Sequence, residues 1–151
     1  MRVLVTGGSS GLGAALVAAY AARGARVLNC DLNEPRPDVD PVETPTEYLH
    51  FDVRSDDDWA EAAAWVAERW GGLDVLVNNA GVAGGGRIDV ATMDEWEWIT
   101  AINLFGVVRG TRTFVPMFKA QGSGTIVNTA SLAGLVHPAG MASYNAVKAA
   151  V

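Results

Sequence analysis

Tyr144 and Lys148 stand four residues apart near the end of the chain, and Ser131 precedes the tyrosine by thirteen residues. Residues four apart project from one face of a helix, so the Lys148 ammonium can lie beside the Tyr144 phenol. A cation there favours the phenolate and lowers the pKa of the tyrosine from its usual value of about 10. A tyrosine tuned in this way can exchange a proton with a substrate oxygen. Because such pairs are also common on solvated helix faces, the interpretation depends on the rest of the chain.

A glycine-rich segment lies between the first predicted strand and the first predicted helix, with glycines at positions 7, 11 and 13. Glycines placed in this way allow a tight turn, a close approach of the backbone to a ligand, and close packing of the helix. The helix N-terminus then presents N–H groups and a positive dipole end to a pyrophosphate. The spacing is not the G-x-G-x-x-G of other dinucleotide folds, and a plain strand-to-helix turn is the alternative. The expected cofactor contacts are Gly7, Ser9, Ser10, Gly11, Leu12 and Gly13.

Asp31 ends the second predicted strand, eighteen residues after Gly13. A carboxylate at that position can accept hydrogen bonds from the hydroxyls of the adenosine ribose, and it repels a 2′-phosphate. No Lys or Arg stands at positions 9, 10, 32 or 33 to offset the repulsion. The position favours a ribose contact over an ordinary loop aspartate, and it predicts NAD as the cofactor in preference to NADP.

Two further segments follow predicted strands. Asp52, beside Val53 at the end of the third strand, can accept a hydrogen bond from the adenine amino group, although a helix-capping acid is nearly as good an interpretation. The run Asn78-Asn79-Ala80-Gly81 ends the fourth strand, and its small residues leave room for a planar ligand. Taken alone, that run also fits a simple turn.

These candidates must be positioned by an alternation of short apolar runs and helical segments. Strands are predicted at 2–6, 25–31, 48–53, 73–78 and 125–130. Near-continuous apolar strands that alternate with helices are typical of a parallel sheet covered on both faces. The sequence therefore predicts an α/β fold, a doubly wound Rossmann-like parallel sheet, in one dinucleotide-binding domain over residues 1–151. Because no Gly, Pro or cap ends the last helix, which begins near Ala142, we expect a C-terminally incomplete domain, truncated after the fifth strand and the start of that helix.

The helices are predicted from the spacing of their apolar residues. The first is expected to bury Leu12, Ala15, Leu16 and Ala19. The second is expected to begin at Ser55, to bury Trp59, Ala62, Val66 and Trp70, and to end at Gly71. A capping box at 92–95 opens one long helix that reaches to about Lys119 and carries Ile99, Ile102, Phe105 and Val108. Residues 33–45, with four prolines and four acids, are predicted to form a loop.

With these motifs in this order, the chain resembles the classical short-chain dehydrogenases/reductases over its whole length. The matching motifs are T-G-x-x-x-G-x-G at 6–13, N-N-A-G at 78–81, Asn103, Ser131, and Y-x-x-x-K at 144–148. The resemblance implies an NAD-dependent oxidoreductase that interconverts a secondary alcohol and a carbonyl by hydride transfer. It also implies a small-molecule alcohol or carbonyl substrate and a homo-oligomer at full length.

The resemblance further implies a role for each catalytic candidate. Tyr144 is the implied general acid/base, and Lys148 is implied to lower its pKa and to hold the nicotinamide ribose. Ser131 is implied to bind and polarise the substrate carbonyl or hydroxyl. Asn103 is implied to place a water that links Lys148 to solvent. Hydride leaves the carbinol carbon for the nicotinamide while the hydroxyl proton goes to Tyr144.

One alternative function from another class stays open. The chain can be a nucleotide-binding fragment or scaffold without turnover, because the residues that shape a substrate pocket are expected mostly beyond Val151. A Walker-type phosphate hydrolase is excluded because no G-K-[ST] follows the glycines.

Composition narrows the partners. The net charge is −6 and the pI about 4.7, with no basic stripe, which argues against nucleic acid or anionic membrane. No apolar run approaches the ~18 residues of a membrane span, so a cytoplasmic protein is expected. Cys30 lies in an apolar run and is expected to be a buried strand residue. His50 and His137 lack the spacing of metal ligands, and no metal site is predicted.

Overall fold

A computed structural model describes residues 1–35 and 46–151, so most of the loop predicted at 33–45 lies outside the described residues. The described residues form five strands and six helices. In chain order they are β1 (Arg2–Thr6), α1 (Gly11–Ala21), β2 (Arg26–Asp31), β3 (Glu47–His50), α2 (Asp56–Trp70), β4 (Val75–Asn78), α3 (Met93–Asn103), α4 (Phe105–Gln121), β5 (Thr125–Asn128), α5 (Ala133–Val136) and α6 (Ala142–Ala150).

The strands form one parallel sheet in the order β3-β2-β1-β4-β5. β1 is central and pairs Val3 with Val27 on one side and with Val75 on the other. The strand order reverses at β1, and a crevice forms at the carboxyl ends of the strands on either side of such a reversal. This is the predicted doubly wound Rossmann-like sheet, and the fold class is confirmed.

Each face of the sheet carries an apolar core. Val3 and Val5 of β1 lie in one core with Val17 of α1. Leu4 points to the opposite face and lies in the other core with Trp59 of α2. Alternate residues of a strand point to opposite faces, so a strand that is covered on both sides reads as a continuous apolar run.

Helix α2 follows its prediction. The Ser55 hydroxyl accepts a hydrogen bond from the backbone N–H of Asp58 and caps the helix. Gly71 ends it in the left-handed conformation, at φ 68°. The four predicted inner residues are all buried: Trp59, Ala62, Val66 and Trp70.

The buried face predicted for α1 is wrong. Leu12 is 58% exposed, and the buried residues are instead Gly13, Ala14, Val17 and Ala21. The segment consists almost entirely of small and apolar residues, so its periodicity carries little information. Its rotation follows from Gly13, which packs directly against the carbonyl oxygen of Gly7.

The single long helix predicted from Met93 is also wrong. The helix is interrupted at Leu104, whose φ and ψ are −108° and −58°, and continues as α4. Phe105 and Val108 are 50% and 39% exposed. The buried face of α4 repeats every fourth residue: Gly106, Gly110, Phe114 and Phe118. The two glycines let the helix approach Val53 and Trp59 closely, and a search for large apolar residues does not detect such a face.

Several element ends differ from the prediction. β3 ends at His50, so Asp52 and Val53 lie in the following turn, which the Ser55 N–H closes on the Asp52 carbonyl at 2.9 Å. The short helix α5 was not predicted. Only half of the predicted capping box forms, since Thr92 accepts from the N–H of Glu95 while the Glu95 carboxylate accepts from Ser143 of α6, at 3.4 Å.

Candidate active site

A cavity of about 550 Å³ lies at the carboxyl ends of the strands. It brings together residues from the glycine-rich loop, from the ends of β2 and β4, from the turn after β3 and from helix α6. The predicted site residues that line it are Gly7, Ser10, Gly11, Leu12, Gly13, Asp31, Asp52, Val53, Asn79, Ala80, Gly81, Tyr144 and Lys148. Ser9, Asn103 and Ser131 are not among the lining residues.

The glycine-rich loop forms a tight cradle beside the cavity. Gly7 and Gly11 have φ of 66° and 52°, which side chains rarely adopt. A Cβ on Gly7 would lie 2.8 Å from the Cα of Ala80, and one on Gly13 would collide with the Gly7 carbonyl. The side chain of Ser10 makes no capping hydrogen bond to α1. First-turn N–H groups of α1 are therefore available to an anionic ligand.

The segment after β4 is bonded to this loop. Thr6 Oγ1 accepts hydrogen bonds from the N–H groups of Asn79 and Ala80, both at 3.0 Å. The Asn79 side chain in turn donates to the carbonyls of Thr6 and Gly7, at 3.0 and 3.2 Å. The Asn-Ala-Gly run is thus a fixed wall of the cavity and more than a simple turn.

Asp31 is held by two backbone amides at the end of β2. Its Oδ2 accepts from the N–H of Ser9 and its Oδ1 from the N–H of Asn33, both at 2.9 Å. Ser9 is buried, at 6% exposure, and lies behind the cavity wall. Ser9 was predicted to contact the cofactor, but it does not line the cavity and instead donates its N–H to Asp31, which does line it.

Asp52 has a partner that sequence reasoning did not identify. Arg54 forms an ion pair with it, with Nη2 2.6 Å from Oδ2, and both residues line the cavity. Hydrogen bonds from Arg54 hold the pKa of the Asp52 carboxyl below its usual value. The carbonyl of Val53 accepts from the indole N–H of Trp59 at 3.0 Å. In the sequence, the only signal for this ion pair is that Arg54 follows Asp52 by two residues.

Tyr144 and Lys148 lie on α6, as predicted, and both face the cavity. Lys148 Nζ is 5.9 Å from the centroid of the Tyr144 ring and donates to the Thr129 carbonyl at 2.7 Å. Lys148 is only 7% exposed, and burial lowers its pKa below the ordinary 10.5. An ammonium has three donors, so two remain for other partners.

Replacing Lys148 with methionine is expected to change how stability depends on pH. Because the folded pKa of Lys148 lies below 10.5, the unfolded chain binds this proton more tightly. The folded state is therefore destabilised by the full amount at pH values below the folded pKa of Lys148. This destabilisation is lost as the pH rises from the folded pKa to the higher unfolded pKa. Urea titrations at about pH 7 and about pH 10 measure the free energy of unfolding. Between these two pH values, the free energy of unfolding of the unmodified protein should rise relative to that of Lys148→Met. A difference that does not change with pH would contradict this.

Ser131 lies in the loop before α5, beside the cavity. Its Oγ accepts a hydrogen bond from the N–H of Ala133 at 3.1 Å, which leaves its proton free to donate to another group. Gly134 of α5 packs against the backbone of Lys148, where a Cβ would collide with the Lys148 carbonyl. This contact sets the loop of Ser131 against the helix of Tyr144.

Asn103 is fully buried at the end of α3. Its side chain accepts from the N–H of Val82 at 2.8 Å and donates to the Val82 carbonyl at 2.9 Å. The residue therefore ties the loop after β4 to α3. The water-placing role implied by resemblance stays a prediction.

The loop after β4 also contacts the start of α6. Gly86 donates its N–H to the Gly140 carbonyl at 2.7 Å, and its own carbonyl accepts from Ala142 at 3.2 Å. Val82, Trp98 and other residues of the neighbouring elements complete the cavity wall. The arrangement combines donors for an anion, acceptors for hydroxyl groups and a tyrosine-lysine pair in one cavity.

Comparison with known proteins identifies the family of the chain. The sequence profile of the short chain dehydrogenase family matches residues 1–151. The 3-alpha-(or 20-beta)-hydroxysteroid dehydrogenase of Mycobacterium tuberculosis is 37% identical over 150 residues, covering 98% of this chain and 58% of that protein. The 2,5-dichloro-2,5-cyclohexadiene-1,4-diol dehydrogenase of Sphingobium indicum is 35% identical over 153 residues, covering 98% and 61%. The crystal structure of a short-chain dehydrogenase from Streptomyces avermitilis superposes with a TM-score of 0.88 at 35% identity, covering 99% and 56%.

A doubly wound parallel sheet with a glycine-rich first loop defines a Rossmann-like α/β protein. Within that class, the chain belongs to the short-chain dehydrogenase family. It spans 58% and 61% of the length of the two relatives described above.

Three observations on residues 1–35 and 46–151 complete the description. None of the helices in these ranges has the length and apolar character that crossing a membrane requires. Within the same part of the chain, no three His, Cys, Asp or Glu side chains come together as a metal site would require. Cys30 is a fully buried strand residue, as predicted, and burial raises the pKa of its thiol.

Proposed function

We propose that this protein is an NAD-dependent oxidoreductase that interconverts a secondary alcohol and a carbonyl by hydride transfer, with Tyr144 as its general acid/base. The observation that carries the proposal is that the glycine-rich loop, Asp31 and the Tyr144–Lys148 pair line one cavity. The first two features suit the binding of a dinucleotide, and the pair suits proton transfer.

The residues present fit a nicotinamide dinucleotide. The uncapped N-terminus of α1 and the glycine cradle suit a pyrophosphate. Asp31 offers fixed carboxylate oxygens to the adenosine ribose, and Asp52 beside Val53 offers an acceptor to the adenine amino group. The cavity volume of about 550 Å³ is within the range of ligand sites. When bound, the nicotinamide supplies the hydride chemistry.

The protein side of the reaction is proton transfer and orientation. We assign Tyr144 Oη the exchange of a proton with the substrate oxygen. The Ser131 hydroxyl, whose oxygen is anchored by Ala133, donates a hydrogen bond to the same substrate oxygen. Lys148 keeps two N–H donors beyond its hydrogen bond to the Thr129 carbonyl. We assign one of them to the nicotinamide ribose and the other to the space beside Tyr144. Asn103 holds the loop after β4 and, by resemblance, places the water that connects Lys148 to solvent.

The relatives suggest a substrate class. Both dehydrogenases described above are named for hydroxylated, ring-containing carbon skeletons, a steroid and a dichlorocyclohexadiene. The lining residues Val82, Trp98 and Ile102 give this cavity apolar wall as well. We therefore propose bulky apolar secondary alcohols, or the corresponding ketones, as the substrates to test first.

We further propose that the whole protein is a homo-oligomer in the cytoplasm.

NADH is expected to bind more tightly than NADPH, and Asp31→Ala should narrow the difference. Hydrogen bonds to a charged group contribute about 1.5–3 kcal/mol, so Asp31→Ala should raise the dissociation constant of NADH about 10- to 150-fold. Fluorescence titration of each dinucleotide into the protein, expressed as its gene encodes it, measures the four dissociation constants.

Asp94→Ala is the matched control, because it removes an exposed acid from the first turn of α3 that does not line the cavity. It should leave both dissociation constants unchanged. Equal affinity for NADH and NADPH in the unmodified protein would rule out the ribose role of Asp31. Tight NADH binding with no oxidation of any alcohol in a broad panel would favour the scaffold alternative.

A further inference from the structure

Asn29 is a polar residue in the middle of an apolar strand. It lies on β2 between Leu28 and Cys30 and is only 1% exposed. A buried amide side chain costs free energy unless hydrogen bonds compensate for its lost contact with water. The partners of Asn29 therefore indicate what the residue does.

The Asn29 side chain begins a series of hydrogen bonds that ends on Asp31. Asn29 Nδ2 donates to Ser9 Oγ at 2.9 Å, and Ser9 Oγ donates to the Asn33 carbonyl at 2.6 Å. The backbone N–H groups of Ser9 and Asn33 each donate to one oxygen of the Asp31 carboxylate, both at 2.9 Å. The Ser9 hydroxyl thus joins the two residues whose amides hold Asp31.

The direction of these hydrogen bonds follows from the groups involved. A hydroxyl has one proton and a carbonyl can only accept, so the Ser9 proton points to Asn33. The Asn29 atom that faces Ser9 Oγ must then be the amide nitrogen. Its other atom, Oδ1, lies against Gly8, where an added Cβ would collide with it. Among the described residues Oδ1 has no hydrogen-bond partner, so the amide makes its bond to Ser9 despite an unpaired oxygen.

We propose that Asn29 is a positioning residue for cofactor selectivity and acts on Asp31 through Ser9. This rests on the proposed function, in which Asp31 binds the adenosine ribose and repels a 2′-phosphate. A carboxylate held by two amides cannot turn away from the ribose, so the 2′-phosphate of NADPH must meet its charge. Without the Asn29 amide the Ser9 hydroxyl keeps only its hydrogen bond to the Asn33 carbonyl. The link between the glycine-rich loop and Asn33 is then weaker, and Asp31 gains freedom to turn.

The test is the ratio of the dissociation constants of NADPH and NADH, from fluorescence titration of the protein as its gene encodes it. Asn29→Ala removes the amide, and Ser9→Ala removes the hydroxyl while keeping the backbone N–H. Each should lower the ratio by about three- to tenfold, the effect of one net hydrogen bond, mainly through weaker NADH binding.

Val27→Ala is the matched control. Val27 is fully buried on the same strand and the same face, two residues from Asn29, and lies in the apolar core. Its truncation should lower the thermal midpoint and leave the ratio unchanged, so a general loss of stability is separated from a loss of selectivity.

The outcomes distinguish this proposal from the one on which it rests. If Asp31→Ala lowers the ratio while Asn29→Ala and Ser9→Ala leave it unchanged, the role of Asn29 is overturned and the proposed function stands. If the unmodified protein does not prefer NADH, the ribose role of Asp31 fails, and the role of Asn29 fails with it. Should Asn29→Ala not fold, Ser9→Ala decides the matter, because it retains both amides that hold Asp31.

Discussion

Replacing Tyr144 with phenylalanine is expected to lower turnover by about 10²–10⁴-fold, the usual contribution of a general acid/base, while NADH still binds. The variant keeps the ring that lines the cavity and loses only the hydroxyl that would exchange a proton. Lys148 keeps its hydrogen bond to the Thr129 carbonyl, so its ammonium stays in place. NADH formation with a panel of apolar secondary alcohols, together with the dissociation constant of NADH, measures both effects on one preparation.

Tyr20→Phe is the matched control for this experiment. Tyr20 lies on α1 beside the apolar core and does not line the cavity, so the same chemical change there should leave turnover unchanged. Near-normal turnover in Tyr144→Phe would remove Tyr144 from the proposed proton transfer. A fall in turnover that comes with an equal fall in NADH affinity would point to a binding role for the hydroxyl.

Much of the fold and of the site could be predicted because the signals are local. The apolar runs of β1 and β4, and that of β2 apart from Asn29, indicate strands covered on both faces. Parallel strands bring their carboxyl ends to one edge of the sheet. Asp31 is the last residue of β2 and Asn79 follows β4, and both line the cavity. Tyr144 and Lys148 share one face of α6 because they are four residues apart.

The rest depends on contacts between distant parts of the chain. The pairing of Asn29 with Ser9 spans twenty residues and has no periodicity that a sequence pattern could reveal. The buried face of α4 depends on Gly106 and Gly110, which pack by having no side chain. Helix α1 is apolar on all sides, so its contacts with Gly7 and with the core on the sheet determine which face is buried. In each case the neighbour across the interface decides the arrangement.

Replacing Gly13 with alanine is expected to weaken NADH binding by about 5- to 150-fold. Overpacking costs about 1–3 kcal/mol, and NADH binding must supply this energy to bring the displaced α1 back to the loop. An added Cβ would lie 2.7 Å from Asn79 Nδ2 and would collide with the Gly7 carbonyl. The carbonyl belongs to the backbone and cannot rotate away, so α1 must move off the loop. The movement displaces the first-turn N–H groups that we propose for the pyrophosphate. Titration of NADH and thermal unfolding of the variant measure the two consequences.

Gly24→Ala separates the steric effect at Gly13 from a general loss of stability. Gly24 has φ 77° and open space around the position of a Cβ, so alanine there strains the backbone without a collision. That variant should unfold at a lower temperature and bind NADH normally, because Gly24 does not line the cavity. Gly13→Ala should instead lose affinity even where it remains folded. An unchanged NADH dissociation constant in Gly13→Ala would mean that the close contact between α1 and the Gly7 loop does not shape the cofactor site, and the pyrophosphate would have to be held elsewhere in the cavity.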